Sequence, residues 1–262
     1  MKINQIKSKN RVVDHGEVLT PSWLVNKMLN LIPSESTKIS SRYLENSCGE
    51  GAFLVEVLRR KLDLIFDTYK DVKDLKFYTV IGLSNIYGLE LLKDNIEISK
   101  IRLRDLIQIY FENRLDQELE EQFLKVVDYM LDINIININA LTYEIPSYEN
   151  SELLRDKNGD IIYSGELGRI SEWQIDYDKR KIKRVEYYYK DIVKEQEDHF
   201  HYLNSFKNSD PLQLSLFEDD LNSHDLFDPS TYITEAKPIH IYQNISYINL
   251  NKAVIIEEGG IK

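Results

Sequence analysis

Of 262 residues only one, Cys48, is a cysteine. An internal disulfide is therefore excluded, no Cys/His cluster has zinc spacing, and the chain reads as a protein of a reducing, cytosolic compartment. No apolar run approaches the roughly 20 residues that cross a bilayer. Residues 1–17, MKINQIKSKNRVVDHGE, follow their charges with no apolar core and do not read as a secretory signal. Basic residues are scarce as well: 33 Lys and Arg stand against 44 Asp and Glu, a formal net charge of -11. Phosphate neutralisation supplies most of the affinity of broad nucleic-acid surfaces, so this chain does not grip nucleic acid that way unaided. A local basic patch or a basic partner stays open. The six prolines include no adjacent pair, which matters below.

The residues that are present suit a globular protein. Apolar types make up 42% of the chain and tyrosine alone contributes 17 residues, enough for one large domain with an appendage. Residues 1–15 read as a loose arm, 16–194 as the main domain and 195–262 as a polar, partly irregular tail. TPSWLVNKMLNLIP reads as a short helix, with Thr20 as cap, Pro21 in its first turn, Pro33 as its stop and Leu24, Met28 and Leu31 on one face. RYLEN is a strand, and a helix from Ala52 to about Tyr69 repeats Leu54, Leu58, Leu62 and Ile65. IYGLEL closes a further strand on Glu90, two amphipathic helices follow, and INIININAL (133–141) reads as a buried strand. Strands alternating with helices predict an α/β fold, a parallel sheet with helices on its faces.

Beyond Ile145 the pattern changes. RDKNGDIIYSGE predicts a hairpin turning at Asn158-Gly159, and RISEWQIDY an alternating strand. DYDKRKIKRVEYYYK (176–190) interleaves Lys179, Arg180, Lys181, Lys183 and Arg184 with tyrosines. That composition suits phosphate contact and base stacking, and equally a solvated face.

The most informative stretch is YLENSCGEGAFLVEVLRRKL, a strand end, a glycine turn and a helix. Gly49 and Gly51 allow a tight turn and close backbone approach, and the helix start offers free amides to anionic or polar groups. An acidic residue ending the next strand, Glu90, stands where doubly wound sheets hold a ribose. Together they read as a site for a nucleoside-bearing cofactor, or as a tight strand–helix connection alone.

HGEVLTP, YLENSCGEGAFL, IYGLEL and NIININAL, in that order, resemble the N-terminal half of adenine-specific DNA methyltransferases, above all the modification subunits of restriction–modification systems. The resemblance spans residues 15–142 and implies a Rossmann-like methyltransferase fold that binds S-adenosylmethionine. It implies that Gly16, Thr20 and Pro21 lie over the methionine end of the cofactor and that Glu45 orients its amino group or the turn. Gly49 and Gly51 would let the backbone pass it, with Phe53 packed beneath. Glu90 would take the ribose hydroxyls, Leu91 would flank the adenine and Asn139 would accept from the adenine amine. The chain departs from the family at three points: Asn139 stands for an Asp, Asn46 for a Pro and Cys48 for a small residue.

The family's catalytic Asn-Pro-Pro-Tyr, which would follow a fourth strand and grip a flipped base, is missing. Of the strands that could stand in its place, DIIYSGE and RISEWQI, the second sets Ser171, Glu172 and Trp173 at the mouth, with Glu172 as acceptor and Trp173 as stacking ring. A basic recognition domain is missing too. The resemblance therefore implies a metal-free DNA adenine methyltransferase that needs a partner subunit for catalysis and recognition, or a non-catalytic methyltransferase-like module. A methyltransferase acting on RNA or protein is a weaker third reading. A second short signal, Gln213-Leu214-Ser215-Leu216-Phe217, resembles the pentapeptide with which bacterial DNA-repair and replication proteins bind the sliding clamp.

Overall fold

The computed structural model describes residues 20–32, 38–116, 118–207 and 235–259. The first element is a short helix, α1 (Ser22–Leu29). Strand β1 (Tyr43–Glu45) leads through the glycine turn into α2 (Ala52–Thr68). A second helix, α3 (Val72–Leu83), whose N-terminus is capped by the Asp71 carboxylate, delivers β2 (Ile86–Glu90). Then α4 (Lys93–Leu115) and α5 (Glu121–Asn134) deliver β3 (Ile135–Asn137). The three strands form a parallel sheet in the order β1-β2-β3, with Glu45 opposite Gly88 and Glu90 opposite Asn137. Mixed α/β architecture with a parallel sheet is as the strand–helix alternation predicts.

Every residue of β2 is buried, so both faces of the sheet are covered. One face, carrying Ile86, Gly88 and Glu90, lies under α2. A Cβ at Gly88 would come within 2.7 Å of Leu54 Cδ1 and 2.8 Å of Cys48 Sγ, so only glycine lets the helix sit this close. The other face differs from the expected second helical layer. Tyr87 and Leu89 point to an antiparallel sheet instead: the Tyr87 hydroxyl donates to the Ser171 carbonyl at 2.9 Å, and Leu89 packs with Ile138 and Tyr189.

That second sheet begins after small pairings of β4 (Glu144–Pro146) with β7 (Tyr163–Leu167) and of β5 (Tyr148–Glu149) with β6 (Glu152–Leu153). The chain turns at Asn158-Gly159, where Gly159 has φ 90°. Strands β8 (Arg169–Asp176) and β9 (Lys181–Tyr188) pair antiparallel along their full length, and α6 (Tyr189–Lys207) follows. The far side of β9 is completed by β10 (His240–Tyr242) and β11 (Ile245–Ser246), a 3-10 turn (Tyr247–Lys252), and β12 (Ile255–Glu258) on β10.

Several expectations are corrected here. Residues 235–259, read as polar tail, fold back into this sheet: a few apolar side chains in a polar stretch, Ile239, Tyr247 and Leu250, are buried and suffice to hold it. In α1 the buried stripe is Val25 and Leu29, while Met28 and Leu31 are exposed. The Arg60 guanidinium fixes that rotation by bonding Asn26 and Asn30. Thr20 makes no cap, and Pro21 itself is the N-cap residue. The strand expected over 133–141 is only three residues long, because α5 continues to Asn134. Neither candidate for a fourth parallel strand joins the parallel sheet. The basic stretch is largely spent within the chain: Arg184 pairs with Glu186, Arg180 with Asp74, and Lys179 with Asp176. Among the described residues no helix is long and apolar enough to cross a membrane.

One core position is a lysine. Lys61 of α2 is 1% exposed, and its ammonium donates to the carbonyls of Ile39 and Ser41, both at 2.6 Å. It thereby straps the segment entering β1 onto the helix. Hydrogen bonds from a charged donor are worth about 1.5–3 kcal/mol each, part of which the burial of the charge cancels. Lys61→Met is expected to lower stability by about 2–3 kcal/mol, read as a fall in the urea midpoint at unchanged m-value. An unchanged midpoint would mean that desolvation cancels the strap entirely.

Candidate functional site

The glycine turn sits at the C-terminal edge of the parallel sheet, where ligands of open α/β sheets bind. Its two glycines do different work. Gly51, at φ 72°, faces inward, and a Cβ there would fall 2.3 Å from the Ser99 hydroxyl. Gly49, at φ 51°, faces open space with nothing within 4 Å of where a Cβ would stand. Gly51 is thus a packing glycine and Gly49 the one that leaves room for a ligand. The turn is clamped from several sides. Cys48 donates its N–H to the Leu89 carbonyl at 3.0 Å, Arg102 of α4 donates to the Glu50 carbonyl at 2.6 Å, and Tyr189 donates to the Asn46 side chain at 3.2 Å.

Glu90 is buried behind the turn. One carboxylate oxygen accepts from the Gly49 N–H at 2.8 Å. The other accepts from the Leu92 N–H at 2.9 Å and from Asn95 Nδ2 at 3.5 Å. Its work in this structure is to tie the turn to the end of β2 and to the start of α4. Ribose hydroxyls at Glu90 would share its oxygens with these three donors.

In front of the turn lies a cleft of about 370 Å³, within the range of small-molecule sites, between α1 and the start of α2. Five of the expected residues line it: Thr20, Pro21, Glu45, Gly49 and Phe53. Glu45 stands out. Its Oε2 is buried and has no hydrogen-bond partner among the described residues. Burial and the neighbouring Glu90 carboxylate together push its pKa up to about 8 from an ordinary 4.5. A carboxyl group held in a cleft with an oxygen that no described residue bonds is a receptor for a cationic donor such as an ammonium group. Cys48, in the same wall, is buried, and burial with the two glutamates raises its thiol pKa far above the usual range, so it is no nucleophile.

The other expected residues lie elsewhere. Gly16 and the pentapeptide Gln213–Phe217 fall outside the described residues. Leu91 is half-buried, and its carbonyl accepts from Asn137 Nδ2 at 2.9 Å and from the Tyr148 hydroxyl. Asn139 is spent locally, its oxygen accepting the Leu141 N–H at 2.9 Å and its nitrogen donating to the Tyr163 hydroxyl at 2.5 Å. The residue opposite Glu90 is Asn137, whose buried Oδ1 has no partner among the described residues. Sequence reasoning missed it because the parallel register that brings it there is non-local. Trp173 does not stand at a mouth: it is buried and donates to Asn134 Oδ1 at 2.9 Å. Glu172 is ion-paired with Arg42 at 3.0 Å. Compared with protein-family models, curated proteins and solved structures, the chain matches none.

The raised pKa of Glu45 has a signed consequence. Between pH 4.5 and about 8 the folded chain keeps a proton that the unfolded chain releases. The stability from the neutral carboxyl is therefore full below pH 4.5 and is lost as pH rises through 8. Glu45→Gln, neutral at every pH, should match the wild type near pH 5 and exceed it increasingly towards pH 9. Parallel denaturation curves at all pH values would refute a buried, uncompensated Glu45.

Proposed function

We propose that the chain is the S-adenosylmethionine-binding part of a DNA adenine methyltransferase, with a Rossmann-like methyltransferase fold, whose catalytic and recognition groups come from a partner subunit. The observation that carries the reading is Glu45: a bare, buried carboxyl in a cleft beside an open glycine turn at the C-terminal edge of a parallel sheet. It fits the cationic amino group of the cofactor's methionine end. Gly49 leaves space for the adjacent chain, and Thr20, Pro21 and Phe53 wall it in. The bound cofactor would supply an electrophilic methyl group. The strand order β1-β2-β3 equals one half of a doubly wound sheet, with the turn at its usual cofactor position.

The nucleoside end fits less well. Glu90 already engages the Gly49 and Leu92 N–H groups and Asn95 Nδ2, and the Tyr148 hydroxyl and the Asn137 amide stand at Leu91. This favours, as second reading, a methyltransferase-like module that keeps the fold and acts by binding a companion subunit or the sliding clamp.

Titration calorimetry with S-adenosylmethionine separates the two. Micromolar binding is expected, abolished by Gly49→Trp and weakened about 10- to 100-fold by Glu45→Gln, the value of a charge-assisted bond. Because an ammonium group requires ionised Glu45, binding should tighten from pH 6 to 8 in the wild type and lose that pH dependence in Glu45→Gln. Failure of the wild type to bind would leave the module reading.

A further inference from the structure

The parallel sheet stops abruptly at β1. In a parallel ladder, alternate residues bond to the same neighbour. Tyr43 and Glu45 turn their main chain towards β2, as the 2.8 Å bond from the Tyr43 N–H to the Asn85 carbonyl shows. Leu44 between them turns its N–H and C=O outward, and among the described residues no strand pairs with that edge. Strands of a parallel sheet are normally interior, and a bare edge is a template for another strand. Here it is furnished with receptors for side chains. One groove of about 180 Å³ beside β1 is walled by Leu29, Phe53, Leu54 and Val57. Another of about 440 Å³, on the side of the second sheet, is walled by Tyr87, Ile170 and Tyr187. Leu44 borders both and is 47% exposed.

We propose that the Leu44 edge of β1 is a docking site for an extended, apolar segment with basic flanks, contributed by a different polypeptide and running parallel to β1 as the next strand of the sheet. Successive side chains of such a strand point to opposite sides and would fill the two grooves in turn. The basic flanks are argued from charge: Glu195 and Glu235 line the larger groove, and the chain carries -11 overall. The same charge argues against a second copy as occupant, since that would bring two strongly acidic bodies together. A parallel strand on this side of β1 takes the fourth position of a doubly wound sheet. Its C-terminal end would then open next to Glu45 and the glycine turn, the place from which a partner's groups reach the cleft. The inference deepens the split-enzyme reading in its identity of the partner, but the docking geometry is independent of cofactor binding.

The test uses the full chain and the synthetic peptide Lys-Lys-Val-Ile-Val-Thr-Val-Ile-Lys-Lys, with a control in which its central Val and Thr are proline, which removes their main-chain donors. The expected result is anisotropy-detected binding of the peptide but not the control. Binding should fall at least 10-fold in Leu44→Lys and in the doubly charge-reversed Glu195→Lys/Glu235→Lys, and exchange of the Leu44 amide should slow at least 10-fold on saturation. No binding at millimolar peptide, equal binding of the control, or protection at the β12 edge instead of Leu44 would overturn it. So would a Leu44 amide already protected in the free chain. Protection that depends on protein concentration would then assign the edge to a second copy, and constant protection to the chain itself. Calorimetry with S-adenosylmethionine on Leu44→Lys keeps the two ideas apart: peptide binding lost with cofactor binding retained supports the docking site, whereas loss of both in a folded variant overturns its independence from the cleft.

Discussion

The Glu90 carboxylate is the constraint on which the site depends. It receives one main-chain N–H from the glycine turn and one from the start of α4, so a single buried side chain holds together the ends of β1 and β2 and the beginning of α4. An ion in that position cannot be neutral to its surroundings. Burial first, and the Glu90 charge second, displace Glu45 towards its protonated form and make Cys48 inert. The same group thus builds the turn and conditions the cleft in front of it. A cationic ligand at Glu45 would relieve a repulsion that the fold itself creates.

The covering of the sheet is equally consequential. Helices close one face, but on the other Tyr87 reaches β8, while Trp173 of β8 bonds Asn134 at the end of α5. This arrangement consumes the strands that could otherwise have extended the parallel sheet past β1. It leaves the cleft at one end and, among the described residues, the outer edge of β1 unpaired beside it.

What could be read from the sequence was local in character. The helical repeat Leu54, Leu58, Leu62, Ile65, the glycine turn and the turn at Gly159 all follow from spacing along the chain. Five of the residues lining the cleft are named by the family resemblance, Gly49 also by the turn itself. What escaped was decided by partners distant in sequence. The rotation of α1 is set by Arg60, the strap on the chain before β1 by Lys61, and the position of Asn137 by register with Glu90. Residues 235–259 looked like tail because their apolar positions are few, and only the edge of β9 turns those few into a core contact.

The two tryptophans occupy opposite environments. Trp23 is 64% exposed on α1, next to Ser22 in the wall of the cleft, whereas Trp173 is 6% exposed and bonded to Asn134 beneath the second sheet. Their emission is therefore divided by place: a long-wavelength component open to aqueous quenchers senses the mouth of the cleft, and a short-wavelength, shielded one senses whether the two layers stay in contact. Opening of the cleft and separation of the layers would be distinguishable by colour alone, with no label added.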